Sequence, residues 1–289
     1  MVKFGPSGNA DSFYADGNKL SEQAPKWLNL KGLQAYEYSF GRGVNISETK
    51  ALAIATEVNN YGIEISVHAP YYINFANNDE EMIKKSFGYL LKSADKARRM
   101  GGKRIVFHCA TMGKAKREDA FSLTIERMKQ LTEIIYEKGY DDLLFCPETM
   151  GKINQIGTLQ EIAQLCKLDK VFYPTIDFGH LNARSHGGMN SIEAFNNAFI
   201  YLYNELEKEK VLNIHIHFSK IEYSQGGEVR HLTFADTEYG PDFEFLAPAL
   251  IKYANNAIVI CESDKTQAED AINMMNIYKR QYAISENNN

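Results

Sequence analysis

The chain has 289 residues, 44% hydrophobic and 24% charged, with a net charge of −5. Seven prolines and 20 glycines exclude collagen-like and low-complexity character, and no apolar run approaches the length of a membrane span. The negative balance gives no global signal for nucleic acid, so any such binding needs a local patch or metal ions.

In chain order, eight short β-rich runs are each bounded by turn residues or a helical pattern: 3–5, 33–40, 64–68, 104–109, 143–148, 171–177, 213–219 and 257–262. Helical patterns fill the gaps. Ser47 caps one that runs to about residue 60. From 79 to 101, Met82, Ile83, Phe87, Leu90, Leu91, Ala94, Ala97 and Met100 recur at helical spacing, with Asp79 as N-cap and Gly101-Gly102 as the stop. Residues 118–138, 191–209, 242–253 and 267–282 follow the same pattern.

Eight strands alternating with helices predict an α/β fold, a (β/α)8 barrel forming one domain over 1–284. The alternative, an open doubly wound sheet, lacks its mark, because no strand is followed by GxGxxG. Residues 285–289 (SENNN) are expected to be a disordered tail. Residues 1–5 hold no apolar core of signal-peptide length, and Cys109, Cys146, Cys166 and Cys261 show no CxxC spacing. Both features lead to the expectation of a cytoplasmic protein with reduced thiols.

The final residues of the third to eighth strands are His68, His108, Glu148, Asp177, His217 and Glu262, at steps of 40, 40, 29, 40 and 45 residues. In a barrel these ends face one mouth, and His180 reaches it from the next turn. Any one of them alone reads as a hydrogen-bonded histidine or a helix cap. Six together need compensating positive charge, since buried unpaired carboxylates are costly. Nitrogen and oxygen donors without thiolate suit zinc, manganese or iron. With His180 and His231 the set reaches eight, enough for two or three ions sharing carboxylates.

His215 and His217 face the same way on one strand, and His217 is the chosen ligand because it lies nearer the mouth. His186 reads as a loop residue, Trp27 as core, and the cysteines as small buried hydrophobes. Lys114, Lys116 and Arg117 read first as a solvated run and second as a phosphate contact.

These blocks resemble the endonuclease IV family of apurinic/apyrimidinic endonucleases, which are barrels of the xylose isomerase-like type. The segments are VHAPYYINFAN (67–77), FHCATMG (107–113), PETMGKINQIGT (147–158), IDFGHLNA (176–183), HFSK (217–220), RHLTF (230–234) and ICES (260–263), in the family's order across nearly the whole chain.

The resemblance implies three zinc sites: His68, His108 and Glu148; then Glu148, Asp177, His217 and Glu262; then His180 and His231. It also implies a zinc-dependent DNA-repair hydrolase of base excision repair. A metal-bridging hydroxide would attack the phosphodiester 5′ to an abasic site, leaving a 3′-hydroxyl and a 5′-deoxyribose phosphate. The expected partner is double-stranded DNA with an abasic site, with no membrane and no nucleotide cofactor, and the expected working form is a monomer.

Two departures stand out. The family's third metal takes an Asp two residues before the later His; that position here is Val229, with Glu228 one residue earlier and Asp236 further on. The family also inserts a Tyr and an Arg into DNA; Tyr71 matches, while FGRGVN (40–45) resembles the Arg loop only loosely and offers Arg42.

A rival reading uses the same barrel. Glu148, Asp177, His217 and Glu262 would serve a single-metal sugar isomerase or epimerase, which has no need of His68, His108 or His231. A third reading is a barrel that binds metal or DNA without turnover.

Overall fold

Each β-rich run contributes a strand in the computed structural model, which describes residues 1–287. The barrel strands are β1 (Lys3–Pro6), β2 (Ala35–Ser39), β3 (Glu64–His68), β4 (Arg104–Phe107), β5 (Leu144–Pro147), β6 (Thr175–Asp177), β7 (His215–Phe218) and β8 (Ile258–Cys261). β2, β3, β4 and β5 pair in sequence, as do β6, β7, β8 and β1, all in parallel. Isolated parallel bridges at Ser7–Glu37 and Glu148–Thr175 join the two runs and close the barrel.

Closure depends on Gly5 in β1. A Cβ there would lie 1.7 Å from the Ala35 carbonyl oxygen, so no larger residue allows β1 this close to β2. Every residue of β4, β7 and β8 is buried, between the barrel interior and the surrounding helices, so these strands present no exposed face.

Helix ends follow local chemistry. Ser47 accepts from the Lys50 N–H ahead of Glu48–Tyr61, and Asp79 accepts from the Glu81 N–H ahead of Glu80–Arg99. The helix expected over 191–209 is two pieces, Ile192–Glu205 and Lys208–Leu212, separated by extended Leu206. Buried Lys210 anchors the second piece by donating to the Cys166 and Asp169 carbonyls. The apolar spacing continues across the break, so periodicity cannot reveal it.

At the C-terminus, the last helix spans Gln267–Asn287. Residues 285–287 of the expected tail are therefore helical, and 288–289 lie outside the described residues. Among the described residues no helix is long and apolar enough to cross a membrane.

Two small elements shape the C-terminal mouth. A ribbon pairs Ala110–Thr111 with Gln155–Ile156. An antiparallel hairpin, Ile221–Ser224 with Gly227–His231, extends from the loop after β7.

Candidate metal centre

Glu148, one residue beyond β5, is fully buried at the floor of the mouth. Its Oε2 lies 3.2 Å from both His68 Nε2 and His108 Nε2. Its Oε1 lies 3.1 Å from His217 Nδ1 and 3.3 Å from His180 Nδ1. One carboxylate thus offers an oxygen to each of two donor groups: His68, His108 and Glu148, and Glu148, Asp177, His217 and Glu262. Within each group the donor atoms lie within 4.8 Å of one another.

Asp177 satisfies two readings at once. Its Oδ1 caps the helix Phe178–Arg184 by accepting from the His180 N–H at 2.7 Å. Its Oδ2 is buried with no hydrogen-bond partner among the described residues, an acceptor that a cation would satisfy.

Several histidines have one ring nitrogen occupied away from the mouth. His68 Nδ1 meets the Ala69 carbonyl at 2.8 Å, and His180 Nδ1 meets the Thr149 carbonyl at 2.9 Å. His231 Nδ1 meets Ser219 Oγ at 2.8 Å. A carbonyl can only accept, so the Nδ1 atoms of His68 and His180 carry a proton, and in the neutral imidazole the lone pair falls to Nε2. This is how imidazoles are prepared as metal ligands.

His180, Glu228 and His231 form a third donor group. Glu228 Oε2 stands 3.4 Å from His180 Nε2. The hairpin register shifts here: Tyr223 pairs with Glu228 and Glu222 with Arg230, leaving Val229 as the unpaired extra residue. The bulge turns Glu228 inward and leaves Val229 49% exposed. Gly151 makes the space, since a Cβ there would lie 2.6 Å from Glu228 Cβ and 2.8 Å from its Oε2.

Among the described residues, the ion pairs of Glu148, Asp177 and Glu262 are to histidines, with no lysine or arginine. The donor set therefore fits divalent ions chemically: nitrogen and oxygen ligands, a shared carboxylate and an orphaned acceptor. The like charges also separate. Burial pushes Glu148 up, but the surrounding histidines outweigh it and hold the carboxyl well below its usual range. Burial raises Glu262, and the Glu148 and Asp177 charges add to that rise against His217 and His231.

Burial lowers His180 and His217, yet their carboxylate neighbours lift both well above the ordinary imidazole range. The metal-free protein therefore holds protons on them at neutral pH, and a bound ion must displace those protons. We expect net proton release on zinc loading at pH 7, and weaker loading as pH falls. Calorimetric titration in buffers of different ionisation enthalpy measures this release; identical heats in all buffers would show that the histidines are already neutral.

The mouth itself is a cavity of about 850 Å³. Tyr71 lines it, 56% exposed, with its ring 5.4 Å from the rings of His68 and His108. Arg42 lies on the turn after β2, whose Gly41 carbonyl accepts from the Tyr71 N–H at 3.4 Å. Lys152, Arg230 and Lys265 reach the rim from three different loops. Arg117 instead holds the loop after β5, donating to the Ile153 and Gln155 carbonyls and to Glu161. His186 lies outside the donor groups and contacts the Ser224 carbonyl.

Beneath the centre sit Glu37, which strand-end reasoning did not assign, and His215, which the sequence set aside in favour of His217. Glu37 and His215 are fully buried, and with His217 they form a further cluster. A carboxylate inside an otherwise apolar strand was the available signal for Glu37.

Residues 26–278 match a family described as the xylose isomerase-like TIM barrel. The chain belongs to that family. An uncharacterized protein of Methanocaldococcus jannaschii is 34% identical over 256 residues, covering 87% of this chain and 89% of that relative. A probable endonuclease 4 of Thermoplasma volcanium is 30% identical over 180 residues, 60% of this chain and 61% of its own. Endonuclease IV of Thermus thermophilus shares the barrel with a TM-score of 0.68 and 17% identity, over 96% of this chain and 97% of its own. D-Psicose 3-epimerase of Clostridium cellulolyticum has a TM-score of 0.66 and 12% identity, over 97% and 99%. At such identities the solved structures establish the shared fold alone. The xylose isomerase-like barrel holds endonucleases and sugar epimerases alike, so the choice between them falls on the donor residues.

Proposed function

We propose that this protein is a zinc-dependent endonuclease that cleaves the phosphodiester 5′ to an abasic site in double-stranded DNA, leaving a 3′-hydroxyl and a 5′-deoxyribose phosphate. The observation that carries this reading is the division of Glu148 between two donor groups, with Oε2 toward His68 and His108 and Oε1 toward His217. A single-ion isomerase uses only the second group, Glu148, Asp177, His217 and Glu262. The added histidines and the His180–Glu228–His231 group suit two or three ions. Bound there, zinc would supply the positive charge that a pentacoordinate phosphate and a departing 3′ oxygen demand; manganese or iron fits the same donors.

The chain's own residues supply the rest. His68, His108 and His217 hold the Glu148 carboxyl ionised and oriented. Tyr71 presents an exposed ring beside the floor, placed to stack in the gap that an abasic site leaves, with Arg42 on the adjoining turn. Lys152, Arg230 and Lys265 ring an acidic floor with positive charge, where flanking phosphates would lie. An extruded abasic sugar is admitted at reduced cost because no base pair has to be broken. The setting we propose is a cytoplasmic monomer acting in base excision repair.

The test is a duplex oligonucleotide with one abasic site, incubated with protein as purified, after chelation and after zinc is restored. A single cut 5′ to the lesion, with an extendable 3′ end and lost on chelation, is the expected result. An intact duplex under every metal condition, together with turnover on a ketose panel, would transfer the site to the single-ion isomerase chemistry.

A further inference from the structure

We propose that Glu37 is a positioning residue of the metal centre, favouring the proton of His217 at Nε2 so that the Nδ1 lone pair faces the mouth. This rests on reading the mouth as a metal centre.

Glu37 is fully buried in the middle of β2, on the barrel interior beneath Glu148. Its Oε2 accepts from Ser66 Oγ at 2.8 Å and pairs with His215 Nε2 at 3.0 Å. Its Oε1 lies 3.0 Å from His217 Nε2. The two atoms are close but not aligned into a hydrogen bond, and neither has a hydrogen-bond partner elsewhere among the described residues. β2, β3 and β7 thus meet at a single carboxylate, whose ion-pair partners are histidines.

Neutral imidazole has one N–H and one lone pair. His217 Nδ1 lies 3.1 Å from Glu148 Oε1 and 3.5 Å from Glu262 Oε1. With the proton at Nδ1, His217 would donate to Glu148 and consume the oxygen offered to an ion. Glu37 opposes that tautomer by placing a negative acceptor 3.0 Å from the far nitrogen, where the proton is then favoured, and its charge makes Nδ1 the more basic donor. Ser66 and His215 in turn hold the Glu37 carboxylate in place. Burial alone would push this carboxyl up, while His217 and His215 hold it well below the usual range.

The experiment uses full-length protein, stripped of metal, as wild type, Glu37→Gln and Ser66→Ala. Zinc is titrated against a competing chelator, the bound ions are counted, and cobalt(II) absorption spectra are recorded. Wild type should bind two or three ions. Glu37→Gln should bind the ion shared by Asp177, His217 and Glu262 about 10- to 100-fold more weakly and alter its cobalt spectrum, with the His180–Glu228–His231 group unaffected. Ser66→Ala, which keeps the carboxylate but loosens it, should weaken the same ion less and serves if Glu37→Gln does not fold.

Variants that melt earlier yet keep every affinity and the wild-type cobalt spectrum would overturn the inference and leave Glu37 a structural residue. One ion more in wild type than in Glu37→Gln, bound by Glu37, His215 and His217 themselves, would also overturn it. Wild type that binds no ion would overturn the metal reading itself, an outcome distinct from both.

Discussion

Glu148→Gln should abolish cleavage and empty two of the three donor groups while leaving the third loaded. The substitution keeps the shape and removes the charge. In the wild type, each carboxylate oxygen faces a different set of histidines. The amide would turn an NH2 toward one set, where nitrogen lone pairs need a cation rather than a donor. Fully buried Glu148 cannot recruit bulk water to make good the loss. With both shared positions weakened, we expect a rate loss of about 10³-fold or more. Metal analysis alongside the incision assay checks this: about one ion should remain, held by His180, Glu228 and His231. Full metal content with undiminished cleavage would remove Glu148 from the centre.

The second large effect concerns the hairpin. Glu228→Ala should strip the third ion and reduce incision about 10- to 100-fold. Adding Val229→Asp should not restore it, although an Asp at that position is what the endonuclease IV resemblance implies as the ligand. The register shift makes residue 229 the unpaired extra residue of the bulge, half-exposed at the rim of the mouth, whereas Glu228 is the residue that reaches His180. Gly151→Ala should reproduce the Glu228 defect with Glu228 intact, because the new methyl would sit 2.6 Å from Glu228 Cβ. Metal content and thermal melting of the three variants separate ligand loss from unfolding. Recovery of the ion in the Glu228→Ala, Val229→Asp double variant would show that the bulge does not fix the register.

The barrel was legible because eight β-rich runs recur at intervals set by one βα unit, and all eight became strands. The convergence of His68, His108, Glu148, Asp177, His217 and Glu262 on one mouth was legible because strand ends converge in such a fold, and no local detail was needed to bring them together. Glu37 escaped for the complementary reason. It lies mid-strand, and only the packed barrel interior shows that β2 and β7 meet there. Val229 and Glu228 mark another limit. A bulge changes which hairpin residue meets His180, and the room Glu228 needs is supplied by Gly151 in a different loop, so neither segment shows it alone. The break at Leu206 and the helical end at 285–287 left no trace in apolar spacing.

The loop after β5 and the hairpin after β7 are joined through their backbones, by a Lys152–Gly227 bridge and by Glu228 N–H and Ile153 N–H donating to the Gly151 and Gly226 carbonyls. The inner donors stand on strand ends that the closed sheet fixes, whereas the third group depends on two loops held to each other. Such a centre is modular. Two of its three outer residues, Glu228 and His231, can be changed by rewriting the hairpin, leaving the six strand-end residues and the barrel untouched. A lineage can therefore change the size of the donor set at the mouth without disturbing the sheet that closes the barrel.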